Sequence, residues 1–414
     1  MAATLLPTLS PPASRAAAAL LLRRAPPFPS PLPAPLLRRL LAPAPSPPLR
    51  SSPTFRSLAT MPSAAAAADL LMLGIETSCD DTAAAVVRGD GEILSQVVSS
   101  QEDLLVRWGG VAPKMAEEAH SLAIDQVVQK ALDDANVSEN DLSAVAVTVG
   151  PGLSLCLRVG VHKARKIAKS FRLPIVGVHH MEAHALVSRL VNKDLDFPFL
   201  ALLISGGHNL LVLAHGLGQY VQLGTTIDDA IGEAYDKSAR WLGLDMRKGG
   251  GPALEQLALE GDPNAVKFSV PMRQHKDCNF SYAGLKTQRV AVLHLEERCQ
   301  RAVEWALKME PSIKYFVVSG GVASNQYVRT HLNQIAEKNG LQLVVMIAWT
   351  GIEHFIAGRF DDPPAVDEPD DMQYDLRPRW PLGEEYSEGR SASRSMKTAR
   401  VHPSLTSMIQ GSVH

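Results

Sequence analysis

Cysteine is scarce: Cys79, Cys156, Cys278 and Cys299 are the only four in 414 residues, and no two form a CxxC pair. This excludes a disulfide framework and a cysteine-built zinc site, and it fits a reducing compartment. Long apolar runs are missing too. Stretches such as "FLALLI" (199–204) and "LVVMIAW" (343–349) are far too short to cross a bilayer, so no integral membrane segment is expected. Acid is absent from the first 68 residues, which hold seven Arg, no Lys and no Asp or Glu before Asp69. Cationic, acid-free and rich in Ala, Leu, Ser and Pro, this stretch reads as an organelle transit peptide, with a disordered Pro-rich tail as the plain alternative. Mitochondrion is the expected destination, chloroplast or both the alternative, and Met61 offers a start that skips the signal. Without those seven Arg, 34 basic residues face 43 acidic ones. Bulk charge therefore does not advertise a nucleic-acid binder.

What remains is ordinary in composition, 46% apolar and 20% charged, and long enough for two domains or one bilobal unit. From Leu70 the chain alternates strands and helices. "LLMLGIETSCDDTAAAVV" (70–87) and "FLALLISGGHNLLVLA" (199–214) both read as strand, small polar turn, strand. One such hairpin in each half points to an internal duplication. Two further glycine turns, in "AVAVTVGPGLSLCLRVGVHKARKIA" (144–168) and "YFVVSGGVASNQYVRTHL" (315–332), read as strand, loop, helix. Helical periodicity lies over 114–134, 228–242, 253–260 and 290–309. Glycine turns at strand ends present unpaired backbone N–H groups, which suit phosphate. Four in one α/β chain, two of them the near-identical "SGG" at 205–207 and 319–321, point to a nucleotide cleft.

Two constellations carry chemistry. "VHHMEAH" (178–184) sets His180 and His184 four apart, which on a helix aims both imidazoles at one point, as two ligands of one metal ion. Zinc-protease motifs need a Glu directly beside a ligand His. Here Glu182 lies two residues from each, facing away on a helix, so a protease is excluded. "GTTIDDAIGEAYDKSARWLG" (224–243) puts Asp229, Glu233 and Asp236 on one helical face. Asp228 and Asp229 suit a helix N-terminus. Asp236 lies deeper, where a carboxylate can accept both hydroxyls of a ribose. His120 reads as a satisfied helical histidine. The run "HKARKIAKSFR" (162–172) reads as a solvated basic face, with tRNA phosphate contact as the alternative. The acidic, Pro-rich stretch 361–390 is expected to wrap the surface or stay disordered.

Taken together, "GIETSCDDTAAAVV", "GPGLSLCLRVG", "HHMEAH", "LLISGGHN", "TTIDDAIGEAYDK", "GGGPALEQLA", "NFSYAGLKT" and "SGGVASNQYVR" resemble the tRNA N6-adenosine threonylcarbamoyltransferase family, its mitochondrial branch above all. The motifs run in the family's order from about Leu71 to Asn325. The resemblance implies the actin-like α/β fold of sugar kinases and heat-shock ATPases, with duplicated mixed-sheet lobes around a nucleotide cleft. It implies transfer of a threonylcarbamoyl group from threonylcarbamoyl-AMP to N6 of the adenosine 3′ of the anticodon, in tRNAs reading codons that begin with A. By the same resemblance His180 and His184 hold one divalent ion per subunit, Fe or Zn. Leu203, Ile204, Ser205, Gly206 and Gly207 meet the phosphate and carbamoyl end of the donor. Asp236 takes the ribose, Gly251 and Glu255 line the nucleoside pocket, and Asn325 contacts the adenine. No catalytic residue separate from these is implied; tRNA is the acceptor and a homodimer is expected.

Two family segments have no counterpart. The third metal ligand of the family is an Asp in a "CTDNG" motif that should stand between Val344 and Met346. Here the chain runs "NGLQLVVMIAWTGIEHFIAGRF", with no Asp, Cys or Pro between Asn339 and Trp349. Glu353 and Asp361 are the nearest acids. At 281–300 a helical excursion of the family is also missing. The expected organisation is a leader at 1–68, lobes at 69–196 and 197–360, and a tail at 361–414. Two alternatives stand beside the transferase: a catalytically impaired splice isoform that keeps nucleotide binding or dimerisation, and an ATPase or kinase of the same fold.

Overall fold

The computed structural model describes residues 67–101, 112–246, 249–262, 269–283, 288–345, 350–369, 372 and 374–386. The leader apart from its last two residues, the joint at 284–287 and the segment 346–349 lie outside them. The strands are β1 (Leu71–Glu76), β2 (Thr82–Arg88), β3 (Ile93–Ser99), β4 (Ala144–Gly150), β5 (Ile175–His179), β6 (Phe199–Ile204), β7 (Asn209–Gly216), β8 (Gln219–Thr225), β9 (Tyr315–Ser319), β10 (Gln342–Val345) and β11 (Glu384–Glu385). The α-helices are α1 (Pro113–Ala135), α2 (Ser154–Phe171), α3 (His180–Val191), α4 (Ile231–Trp241), α5 (Gly250–Ala258), α6 (Gln288–Met309), α7 (Gln326–Lys338) and α8 (Thr350–Ile356).

Two sheets share one plan. The first has strand order β3-β2-β1-β4-β5, and the second β10-β9-β6-β7-β8-β11. In each, an antiparallel meander (β1–β3; β6–β8) is continued from its first strand by two parallel strands (β4, β5; β9, β10). The internal duplication read from the two hairpins is thus a duplication of whole sheets. The central strands β4 and β6 are buried at every residue, which is why they read as unbroken apolar runs rather than as alternation.

Each sheet is covered on one face by helices of its own half. Leu73, Ile75, Val145 and Val147 pack with Ile124, Val128, Leu132, Val161 and Ala164 of α1 and α2. Leu200, Leu202, Ile204, Phe316 and Val318 pack with Leu295, Cys299, Val303 and Leu332 of α6 and α7. The other faces are covered by exchange. α3, which follows the last strand of the first half, lays Met181, Ala185 and Leu186 against Phe199, Ala201, Leu203 and Val317 of the second sheet. α8, which follows the last strand of the second half, lays Ile352 against Met72, Ala146, Val176 and Val178 of the first. The division at 196/197 drawn from sequence therefore cuts the chain where neither core is complete. The exchanged helices also hold each other: His354 Nε2 lies 2.8 Å from Glu182, and Arg189 donates to Glu353 at 2.8 Å.

The acidic stretch from 361 wraps the surface, as far as it is described. Asp361 bridges to Ile175 and accepts from the Tyr374 hydroxyl at 2.6 Å. Arg165 pairs with Glu368, Lys169 donates to the Glu368 carbonyl at 2.7 Å, and Arg172 donates to the Pro364 carbonyl at 3.1 Å. Lys163 pairs with Asp125 at 2.6 Å. Four of the five Lys and Arg of the "HKARKIAKSFR" run are thus engaged by the protein itself. His120 is fully buried between the Thr82 hydroxyl (2.8 Å) and the Cys79 carbonyl (3.2 Å), a satisfied helical histidine.

Leu186 is fully buried in the α3–sheet contact. Leu186→Ala is expected to lower the unfolding free energy by about 2–5 kcal/mol, read as a drop in the urea midpoint at unchanged slope.

Candidate functional site

The His pair sits where β5 passes into α3 without a loop. His179 caps the helix through its ring Nδ1, which accepts from the N–H groups of Met181 (3.1 Å) and Glu182 (3.4 Å). His180 and His184 follow on one face, their ring centroids 4.7 Å apart and edge to face. Nδ1 of His180 lies 3.1 Å from a Glu76 carboxylate oxygen and 3.1 Å from the Ser78 hydroxyl. Glu76, at the end of β1, also accepts from the Thr148 hydroxyl at 2.6 Å and from the Ser78 backbone N–H. Burial presses the Glu76 carboxyl upward, but the hydrogen bond and charge of His180 outweigh it and hold the group at about 2. Burial, and after it the charge of His180, push His184 down to about 4, and the charge of His208 adds to that. A carboxylate on Nδ1 fixes the tautomer and orients Nε2, a common support for a metal-bound imidazole.

A metal site needs more. Two imidazole donors fall one short of the three protein ligands usual for a catalytic ion. Among the described residues no group of three His, Cys, Asp or Glu side chains is placed to hold a metal. Glu182 is turned away as its spacing requires, 4% exposed and bonded to His354 and to the Gly218 N–H at 2.9 Å. Glu353 is paired with Arg189, and Asp361 takes the Tyr374 hydroxyl. Neither replaces the missing Asp, so the residues present do not by themselves complete a site for the ion.

The glycine turns belong to the second sheet. Ser205–Gly207 leaves the end of β6, with the Ser205 hydroxyl accepting from the N–H groups of Gly207 (3.3 Å) and His208 (3.1 Å). Gly206 and Gly207 are exposed, and a Cβ on either would meet nothing within 4 Å. Leu203 and Ile204 are core residues, 1% and 0% exposed, so only their backbone can serve a ligand. The second "SGG" turn closes on the first: Gly320 has φ +106°, and a Cβ there would collide with the Ile204 carbonyl. From the other side comes Gly232 of α4, where a Cβ would lie 2.7 Å from the Ser205 carbonyl oxygen and 2.8 Å from Gly206 Cα. These are close approaches that only glycine permits.

Asp236, one turn further along α4, accepts from the Gly250 N–H at 2.9 Å. Its pKa is raised by burial, against the pull of that bond. Gly251 is open on its Cβ side. Glu255 on α5 accepts from the Gln326 N–H at 2.8 Å, tying α5 to the start of α7. Asn325 is 6% exposed and caps α7, its side-chain oxygen accepting from the Val328 N–H at 3.0 Å. Asp236, Gly251, Glu255 and Asn325 are thus linked on one side of the second lobe, with the Ser205–Gly207 turn bound to the same helix α4. Asp228 and Asp229 do not serve the helix N-terminus as expected. Asp228 holds the Tyr282 N–H at 2.8 Å and the Ser281 hydroxyl, and Asp229 pairs with Lys237 at 2.7 Å. Glu76, Ser78, His208 and Gly232 escaped the reading by residue type, although the quoted motifs contain all four.

A sequence profile of the TsaD family, tRNA N6-adenosine threonylcarbamoyltransferase, matches residues 92–347. The chain belongs to this family. It is similar to the probable mitochondrial tRNA N6-adenosine threonylcarbamoyltransferase of Arabidopsis thaliana, 66% identical over 388 residues, covering 83% of this chain and 81% of the relative. The tRNA N6-adenosine threonylcarbamoyltransferase of Sphingopyxis alaskensis is 42% identical, covering 75% of this chain and 95% of its own. A mitochondrial one from Xenopus tropicalis is 39% identical, covering 70% and 83%. The paired sheets are the duplicated lobes of the family's actin-like fold.

Gly232→Ala is expected to displace the Ser205–Gly207 turn while leaving the fold intact. The check is NMR: amide shifts at Gly206 and Gly207 should move, and those of α1 and α2 should not.

Proposed function

We propose that the chain transfers a threonylcarbamoyl group from threonylcarbamoyl-AMP to N6 of the adenosine 3′ of the anticodon, in tRNAs reading codons that begin with A. It is an organellar, mitochondrial enzyme of tRNA modification, in keeping with its relatives and its acid-free, Arg-bearing leader. The observation that carries the donor reading is the exposed Ser205–Gly207 turn on the same helix-bound surface as Asp236 and Gly251. In this reading the backbone of Gly206 and Gly207 meets the phosphate and the carbamoyl oxygen, the Gly207 N–H being shared with the Ser205 hydroxyl. Asp236 takes the ribose hydroxyls, with Gly251 and Glu255 beside the nucleoside and the Asn325 backbone end of α7 flanking the base.

The chemistry needs those dipoles. Adenine N6 is a poor nucleophile, so the carbamoyl carbon must be made electron-poor and the leaving AMP stabilised. N6 forms a bond to the carbamoyl carbon and gives up one proton; the carbon–oxygen bond to phosphate breaks, and AMP leaves with the electron pair. Backbone N–H groups fixed by Gly232 and Gly320 oppose the negative charge that develops, without reorganising at the moment of reaction. One divalent ion, Fe or Zn, belongs to the family reading, with His180 and His184 as its holders here. Pairing with a second copy of the chain belongs to the same reading.

A second reading has its own support. Between Asn339 and Trp349 the chain carries no Asp, Cys or Pro where the family resemblance expects an Asp-bearing motif. That fits a variant lacking the Asp-bearing segment and the excursion after "SYAGLKT", one that keeps the donor surface but works slowly or not at all.

Purified chain, threonylcarbamoyl-AMP and undermodified mitochondrial tRNA decide between them. The transferase reading predicts threonylcarbamoyl-adenosine in digested tRNA. It further predicts that Asp236→Ala weakens donor binding at least about tenfold, the loss of one charge-assisted contact. Donor binding without product, restored by inserting the Asp-bearing segment, supports the variant. ADP release from ATP alone would point to a kinase-like activity and sink both.

A further inference from the structure

His179 joins the last strand of the first sheet to the helix that bears His180 and His184, and it is 3% exposed. Its Nδ1 faces two backbone N–H donors, those of Met181 and Glu182, and so carries no hydrogen. A neutral imidazole then holds its hydrogen on Nε2, which donates to the Trp380 carbonyl at 3.0 Å. One ring thereby satisfies two orphan donors of the first turn of α3 and fastens that turn to a segment 200 residues away in the sequence. The Trp380 ring packs on the imidazole at 4.5 Å between centroids, and the Arg377 guanidinium lies 4.6 Å from the indole.

The segment is held at both ends. Arg377 donates its backbone N–H to the Val149 carbonyl at 2.8 Å, and the Pro378 carbonyl accepts from the Gly152 N–H at 3.2 Å, both at the end of β4. A Cβ at Gly150 would run into the Arg377 backbone, so this approach needs glycine. A few residues on, Leu382 is 5% exposed in the same apolar cluster as Met181 and Leu186, and Glu384–Glu385 adds a strand beside β8. Within nine residues the segment touches the first sheet, the start of α3 and the second sheet.

We propose that residues 377–385 form a strap that fixes the seat of α3, with His179 as the positioning residue through which it acts on His180 and His184. The strap sets the first turn of the helix, and with it the contact between His180 and Glu76. Loosening it frees that turn without unfolding either sheet. Any bearing on group transfer rests on the function proposed above; the strap itself does not.

The test uses the full chain as wild type, His179→Ala, His179→Asn and Trp380→Ala, with amide hydrogen exchange as the readout, independent of activity. His179→Ala and Trp380→Ala should each speed exchange at Met181 and Glu182 about tenfold or more, while amides of α1 and α6 keep wild-type rates. His179→Asn should recover only part of the protection, because the Asn side-chain oxygen can cap the helix N-terminus but cannot reach the Trp380 carbonyl as Nε2 does. Unchanged exchange at α3 in Trp380→Ala, a uniform rise over all helices, or full wild-type protection in His179→Asn would each overturn the proposal. If His179→Ala does not fold, the Trp380→Ala and His179→Asn pair decides alone.

Discussion

The reciprocal exchange of α3 and α8 is the constraint on which the rest of this molecule depends. Each sheet is a two-faced layer, and its own half supplies helices for one face only. The second face is covered by the final helix of the other half. Each large side chain so buried is worth about 1.5–3 kcal/mol, and α3 commits Met181 and Leu186 to the second sheet while α8 commits Ile352 to the first. The Glu182–His354 contact between the two helices lies almost wholly out of water, 4% and 8% exposed. Removing one partner of such a buried hydrogen bond costs about 1–3 kcal/mol, because the other group stays buried and unmatched. Neither half can shed its exchanged helix without exposing a core.

Function follows from where this leaves the start of α3. The helix belongs by sequence to the first half and by packing to the second, and it carries the His pair at its start. The charge of His208, directly after the Ser205–Gly207 turn, is felt at His184. The turns are themselves shaped by backbone contacts that tolerate no side chain, at Gly232 and Gly320. Among the described residues the His pair lacks a third ligand.

Much of this was legible in the sequence, for identifiable reasons. Hairpins with short polar turns gave the meanders, and the helices at 114–134 and 290–309 fall within two residues of α1 and α6 because their apolar period is regular. α4 begins three residues later than its pattern, at Ile231, since Asp228 is diverted to the loop at 281–283. The exchange was not legible: an amphipathic helix shows that it has a buried face, never which sheet that face meets. Nor was the fate of the cations on α2, whose partners at 364–368 lie about 200 residues on. Asn325 was recognised by motif as an adenine contact, and its side-chain oxygen also caps α7, a second role the motif did not announce. The absent Asp, by contrast, could be read only from sequence, because it is a gap in a motif.

The most direct test of the central claim is a crystal structure of the chain soaked with AMP. The account predicts the phosphate within hydrogen-bond distance of the Gly206 amide, against the Ser205–Gly207 turn, the ribose on Asp236, and the nucleotide facing the same cleft as His184. A cavity of about 470 Å³, lined by Asp90, Arg189, Lys193 and Glu353, opens at the far end of α3. AMP seated there, or anywhere that does not touch the Ser205–Gly207 turn, would contradict the account.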